Sequence, residues 1–162
     1  MIKPGKSVKE TAVTVSQVMM PQDINKAGNV HGGVVMKLID TVAAVVAARH
    51  CRCNVVTASI DRMDFLYPLY VGDLVICKAS LNYVGRTSME IGVRVETENL
   101  RTGEVRHTVS AYLTMVALDT AGRPTKIPPL ILETDADRRR NRQAVARREA
   151  RLRERQTEKE SK

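Results

Sequence analysis

"HGGVVMKLIDTV", residues His31–Val42, opens on a histidine and two glycines, settles into apolar helical spacing, and carries a carboxylate, Asp40, two turns in. The spacing predicts a helix from near Gly33 to near Arg49. At 100° per residue, Val35, Leu38, Val42, Val45 and Val46 share one side and form a branched stripe expected to face a sheet. Asp40 is expected to point the other way, among Gly33, Met36, Lys37, Ala43, Ala44 and Ala47. Small neighbours of that kind let another backbone or a ligand come close. A carboxylate shielded by crossing structure suits base chemistry, although the residues alone leave open an exposed Asp40 or one paired with Lys37 or Arg86.

The segments around this helix read as strands. "TAVTVSQVMM" (Thr11–Met20) is rich in β-formers; "NVVTASIDRMDF" (Asn54–Phe65) and "DLVICKASLNYV" (Asp73–Val84) are separated by Pro68 and Gly72. "SMEIGVRVET" (Ser88–Thr97) alternates strictly, with Met89, Ile91, Val93 and Val95 on one face and Glu90, Arg94 and Glu96 on a face expected to be wet. "EVRHTVSAYLTMVALD" (Glu104–Asp119) follows an "RTGE" turn. The expected order is strand, long helix, then four strands in a meander, an α+β arrangement in which an antiparallel sheet lays one face over the helix.

Composition limits what such a domain does. The chain of 162 residues is 43% hydrophobic and 27% charged, enough for one aliphatic core, with one Phe, four Tyr and no Trp. No apolar run is long enough to span a bilayer, and "MIKPGKSVKE" lacks the apolar centre of a signal peptide, so no membrane association is expected. Three cysteines, an odd number, argue against a disulfide framework and for a reducing, cytoplasmic setting. "RHCRC" offers His50, Cys51 and Cys53, but no second pair completes a metal site, and no metal is expected.

The net charge of +8 is uneven: residues 135–162 hold eleven Lys or Arg against six Asp or Glu. Pro128 and Pro129 disfavour regular structure just ahead of that run. The expected domain therefore covers residues 10–130, and 131–162 form a basic tail, partly helical or disordered, with few apolar anchors beyond Val145 and Leu152. No basic stripe interleaved with aromatics marks the domain, so no nucleic-acid partner is expected.

"NKAGNVHGG" supplies Asn25, Gly28, Asn29, His31, Gly32 and Gly33 at the helix entry. Glycines there let a ligand approach unpaired backbone N–H groups, where the helix dipole favours an anionic oxygen. Gly33 and Asp40 are seven residues apart, hence on one face and about 10 Å apart along the axis.

"MPQDINKAGNVHGGVVMKLID", "RHCRCNVVTASIDRMDFLYPLYVGD" and "VGRTSMEI", in that order and spacing, resemble the hotdog-fold acyl-CoA thioesterases, in particular small bacterial acyl-CoA hydrolases related to the brain-type cytosolic enzyme. The resemblance spans roughly residues 10–125. It implies a hotdog fold, a long central helix wrapped by an antiparallel sheet, in a homo-oligomer whose dimers assemble into a trimer of dimers. The site it implies lies between subunits, with Asn25 and Asp40 brought together. On that reading Asp40 is general base or nucleophile, Asn25 orients water or carbonyl, and the Gly32 and Gly33 amides form the oxyanion hole. His31 either touches substrate or lines the turn, and Arg86, Thr87 and Ser88 belong to a "GRTS" turn that resembles the family's turn near the pantetheine and nucleotide. No cofactor is implied beyond the CoA of the substrate. A non-catalytic acyl-CoA-binding hotdog protein and a hotdog hydratase are the alternatives; retention of both Asn25 and Asp40 argues against the first. Asp40 has no histidine at helical spacing on its own face, which argues against the second.

Overall fold

A computed structural model of the chain describes residues 4–161. In chain order these form β1 (Lys6–Ser7), α1 (Val8–Thr11), β2 (Val13–Val18), a 3-10 turn (Pro21–Asp23), α2 (Gly32–Cys51), β3 (Asn54–Ile60), β4 (Leu74–Val84), β5 (Ser88–Glu98), β6 (Val105–Leu118), β7 (Leu130–Ile131) and α3 (Asp135–Glu160). Five strands make one antiparallel sheet in the order β2-β4-β5-β6-β3, and α2 packs against every one of them. A sheet that touches a single helix along all its strands has to curl around it. Bulges in the β3–β6, β4–β5 and β5–β6 ladders supply the bending.

The expected four-strand meander holds only for β4, β5 and β6. β3 follows the helix in sequence but pairs with β6 at the far edge, and β2 closes the other edge against β4. The reason is geometric: α2 crosses the sheet, so the strands on either side of it in sequence emerge at opposite edges.

The buried face of α2 is also rotated from the expected one. Val35, Val42 and Val46 are buried as predicted, but Ile39, Ala43 and Ala47 complete the stripe, while Leu38 is half-buried and Val45 is exposed. Alanines pack there because β5 and β6 come close, presenting Met89, Ile91, Val93, Val109, Ala111 and Leu113 to the helix side. Asp40 therefore flanks the packed stripe, half-buried, rather than standing opposite it.

The other face of the sheet carries α3. Its sequence contains almost no apolar residues, yet it is anchored by polar contacts. Arg147 and Arg151 reach Glu90 at 2.6 and 3.1 Å, Arg151 also pairs with Asp61 at 2.7 Å, and Asn141 donates to the Asn82 carbonyl at 2.9 Å. Arg147 further stacks 3.7 Å from the Tyr112 ring centroid. Glu90, expected on a wet face, is only 1% exposed as a result. Asn82 sits at the β4 bulge and donates to Glu90. It lies so close to β5 that a Cβ at Gly92 would come within 2.6 Å of its Nδ2, which requires glycine there. The expected scarcity of anchors was a statement about apolar residues, and the helix uses charge instead.

Candidate active site

Local hydrogen bonding shapes the entry to α2. His31 is the N-cap, and its Nδ1 accepts the Gly33 N–H at 3.0 Å. Gly32, the first helical residue, precedes the helix's own ladder, so its N–H faces outward as the first of the unpaired donors. Upstream, Asn25 folds the segment: its Oδ1 accepts the amides of Ala27 at 2.9 Å and Asn29 at 3.3 Å, and Gly28 follows with φ of +86°. Because backbone N–H groups bond that oxygen, the free end of Asn25 is its amide nitrogen, a donor. Asn25 and Gly32 line one open cleft of about 310 Å³, together with Phe65 and Leu69.

Asp40 meets a residue the sequence did not single out. The Thr57 hydroxyl donates to Asp40 Oδ1 at 2.5 Å and lies 3.3 Å from the Met115 sulfur. Thr57 faces the helix by plain alternation from Val55, along a ladder that is unbroken from Asn54 to Thr57. Thr57 pairs with Met115 and Ser59 pairs with the very next residue back, Thr114, so two steps on β3 match one on β6. The bulge follows Thr57 and turns Ser59 toward α3. Period-two reading of "VVTASI" puts both hydroxyls on one face; a bulge leaves no mark in composition, and no signal in the sequence identifies it. The open alternatives for Asp40 resolve away from Lys37 and Arg86, neither of which has a hydrogen bond or ion pair with it among the described residues.

The remaining predicted residues fall in separate places. The cleft lined by Asn25 and Gly32 does not include Asp40. Gly85–Ser88 form a tight β4–β5 turn, closed by the Gly85 N–H on the Ser88 carbonyl at 2.8 Å and stitched to residues 117 and 127 through the Thr87 and Arg86 carbonyls. Arg86 is exposed, and Ser88 points to the α3 side. A cavity of about 1060 Å³ lies at the opposite end of α2 beside Arg52, Cys53 and Lys126, away from the carboxylate. Burial pushes the Cys51 and Cys77 thiols up to about 11, leaving them protonated and poor nucleophiles at neutral pH. His50 is fully buried, with Nε2 2.9 Å from the Pro128 carbonyl, and burial lowers its pKa, so it stays neutral. Among the described residues no cluster of three His, Cys, Asp or Glu side chains could hold a metal ion, and no helix is long and apolar enough to cross a membrane.

A long helix wrapped by one curled antiparallel sheet is the hotdog arrangement. The sequence profile of the thioesterase superfamily matches residues 27–104. YkhA, an uncharacterized acyl-CoA thioester hydrolase of Bacillus subtilis, is 40% identical over 129 residues, which is 80% of this chain and 75% of its own length. The acyl-CoA hydrolase of Staphylococcus aureus, solved in complex with butyryl coenzyme A, coenzyme A and coenzyme A disulfide, superposes with a TM-score of 0.89 at 34% identity, covering 98% of this chain and 96% of that one. A hexameric thioesterase from Yersinia pestis matches at 34% identity with a TM-score of 0.68, covering 71% of this chain and 93% of its own. The chain belongs to the thioesterase superfamily. Three further structures of the S. aureus hydrolase are alanine variants: of an asparagine, of an aspartate 15 residues later, and of a threonine 17 beyond that. Asn25, Asp40 and Thr57 stand at the same separations.

Proposed function

We propose that this protein hydrolyses acyl-CoA to a free fatty acid and CoA, with Asp40 as the base. The observation that carries this reading is the Asp40–Thr57 pair: the one acid of α2, oriented by a hydroxyl through Oδ1 with Oδ2 left to act. A thioester is activated enough that hydrolysis needs a positioned water, a base and stabilisation of one oxyanion. Asp40 takes a proton from water as the water oxygen bonds to the thioester carbon. The carbonyl electron pair moves onto oxygen, which accepts hydrogen bonds from the Asn25 amide nitrogen and the Gly32 N–H; the Gly33 N–H joins when His31 releases it. Collapse re-forms the carbonyl, breaks the C–S bond, and returns the proton from Asp40 to the departing thiolate. In the other order of events Asp40 itself attacks, giving a mixed anhydride that water then cleaves.

The cleft that Asn25 lines does not include Asp40, which supports a site completed by a second copy. Among the described residues β3 has a strand neighbour only on its β6 side, so two copies joined edge to edge through β3 would hide that edge and set Asn25 of one copy beside Asp40 of the other. Three such dimers make the hexamer. His31, Arg86, Thr87 and Ser88 then serve the CoA portion, no cofactor is needed, and a cytoplasmic setting fits three free cysteines. The test is a thiol-release assay across acetyl- to palmitoyl-CoA on the wild type, on Asn25→Ala and Asp40→Ala separately, and on the two variants mixed after subunit exchange. The wild type should turn over, each variant should be nearly inert, and random re-pairing should restore about a quarter of the sites. No turnover with any chain length would refute the activity. No recovery after proven exchange would refute the shared site.

A further inference from the structure

The bulge that follows Thr57 turns Ser59 away from α2, into a cavity of about 120 Å³ between the sheet and α3. Ser59 Oγ and Thr114 Oγ1, opposite each other in the ladder, are both buried there with no hydrogen-bond partner among the described residues. Ser88 and Tyr83 add two more hydroxyls to the lining, and α3 closes the cavity with Arg148 and Arg155, seven residues and two helical turns apart on one face. Arg148 lies 5.8 Å from the Tyr83 ring centroid, and among the described residues no carboxylate pairs with Arg148 or Arg155. The acids nearby are already balanced, because Glu90 is held by Arg147 and Arg151, and Asp61 by Arg151. What remains is a pocket of hydroxyl donors beneath two uncommitted guanidinium groups.

Buried hydroxyls are rarely left without partners, and two surplus guanidinium groups match the charge and the acceptor oxygens of a phosphate dianion. We infer that this cavity between α3 and the sheet binds a phosphate group, with Ser59 and Thr114 donating from the floor and Arg148 and Arg155 from the roof. The phosphate belongs either to the nucleotide end of an acyl-CoA, a source that rests on the proposed hydrolysis, or to a free phosphate or nucleotide.

The full-length protein titrated with inorganic phosphate, followed by calorimetry and ³¹P NMR, tests the site without any reliance on activity. Saturable binding is expected in the wild type, weakened roughly tenfold or more in Arg155→Gln, in Arg148→Gln and in Ser59→Ala with Thr114→Val. Arg155 lies near the end of α3, so its replacement leaves the domain folded, and circular dichroism verifies that for the others. Absence of saturable binding in the wild type, or equal binding by the folded variants, overturns the proposal. To separate the sources, KM is measured for acyl-CoA and for the matching acyl-pantetheine. A substrate phosphate predicts that Arg155→Gln raises KM for acyl-CoA alone, with kcat kept. A free phosphate or nucleotide predicts that neither KM moves while phosphate binding is lost. If the protein cleaves no thioester, the titration still decides the site, so the two failures are distinguishable.

Discussion

The two faces of the sheet are held by opposite physics. Toward α2 the interface is aliphatic: Val35, Ile39, Val42 and Val46 meet Met89, Ile91, Val93 and Leu113 in a dry core. Toward α3 it is ionic: one buried glutamate, Glu90, gathers Arg147, Arg151 and Asn82. An apolar interface tolerates substitution by degrees, since the loss scales with the area and volume removed. A buried carboxylate does not, because losing its partners leaves an uncompensated charge in low dielectric.

The largest stability effect should therefore come from the helix that looks least attached. Replacing both Arg147 and Arg151 by Met strands Glu90 and should cost about 3–5 kcal/mol in urea unfolding, an effect that adding Glu90→Gln largely reverses. Unfolding free energies within 1 kcal/mol of wild type for the double variant would mean that α3 is a solvated tail after all.

On the α2 side the expected effects are kinetic. Thr57→Val removes the hydroxyl that orients Asp40 and should lower kcat about tenfold with KM little changed, while Thr57→Ser keeps most of the rate. Equal rates for Val and Ser would remove Thr57 from the site. The smallest effect concerns His50, whose pKa burial depresses from its ordinary 6.5. The unfolded chain binds that proton more readily, so the contribution of His50 is complete above pH 6.5 and declines as pH falls toward the lowered folded value. Melting temperature should drop on acidification, and His50→Gln should flatten that slope; an unaltered slope would assign it to other groups.

The same contrast explains what the sequence disclosed. The helix, the five long strands and the alternation of β5 were readable because apolar periodicity writes them directly. Asp40 stood out as a carboxylate two turns into an apolar helix, while Asn25 took its place in the site only through the family resemblance. The position of β3 at the far edge was not readable, since pairing order depends on how α2 lies across the sheet. Thr57 was missed because alternation gives its face but not the helix carboxylate it meets, and Glu90 was misjudged because its cover comes from a helix with no apolar stripe. His31 was ambiguous between substrate and turn; its ring accepts the Gly33 amide and caps α2. Hydrophobic patterning reveals one side of such a sheet and is silent about the other.

The central claim is that Asp40, oriented by Thr57 and left free at its second oxygen, performs thioester hydrolysis. Asp40→Asn keeps the size, the site and the Thr57 contact while removing the base, so kcat for acyl-CoA measured by thiol release is the most direct reading. A fall of about 10² or more, with fold and oligomeric state unchanged by light scattering and circular dichroism, is the predicted result. A correctly folded Asp40→Asn protein that turns over acyl-CoA near the wild-type rate would contradict it.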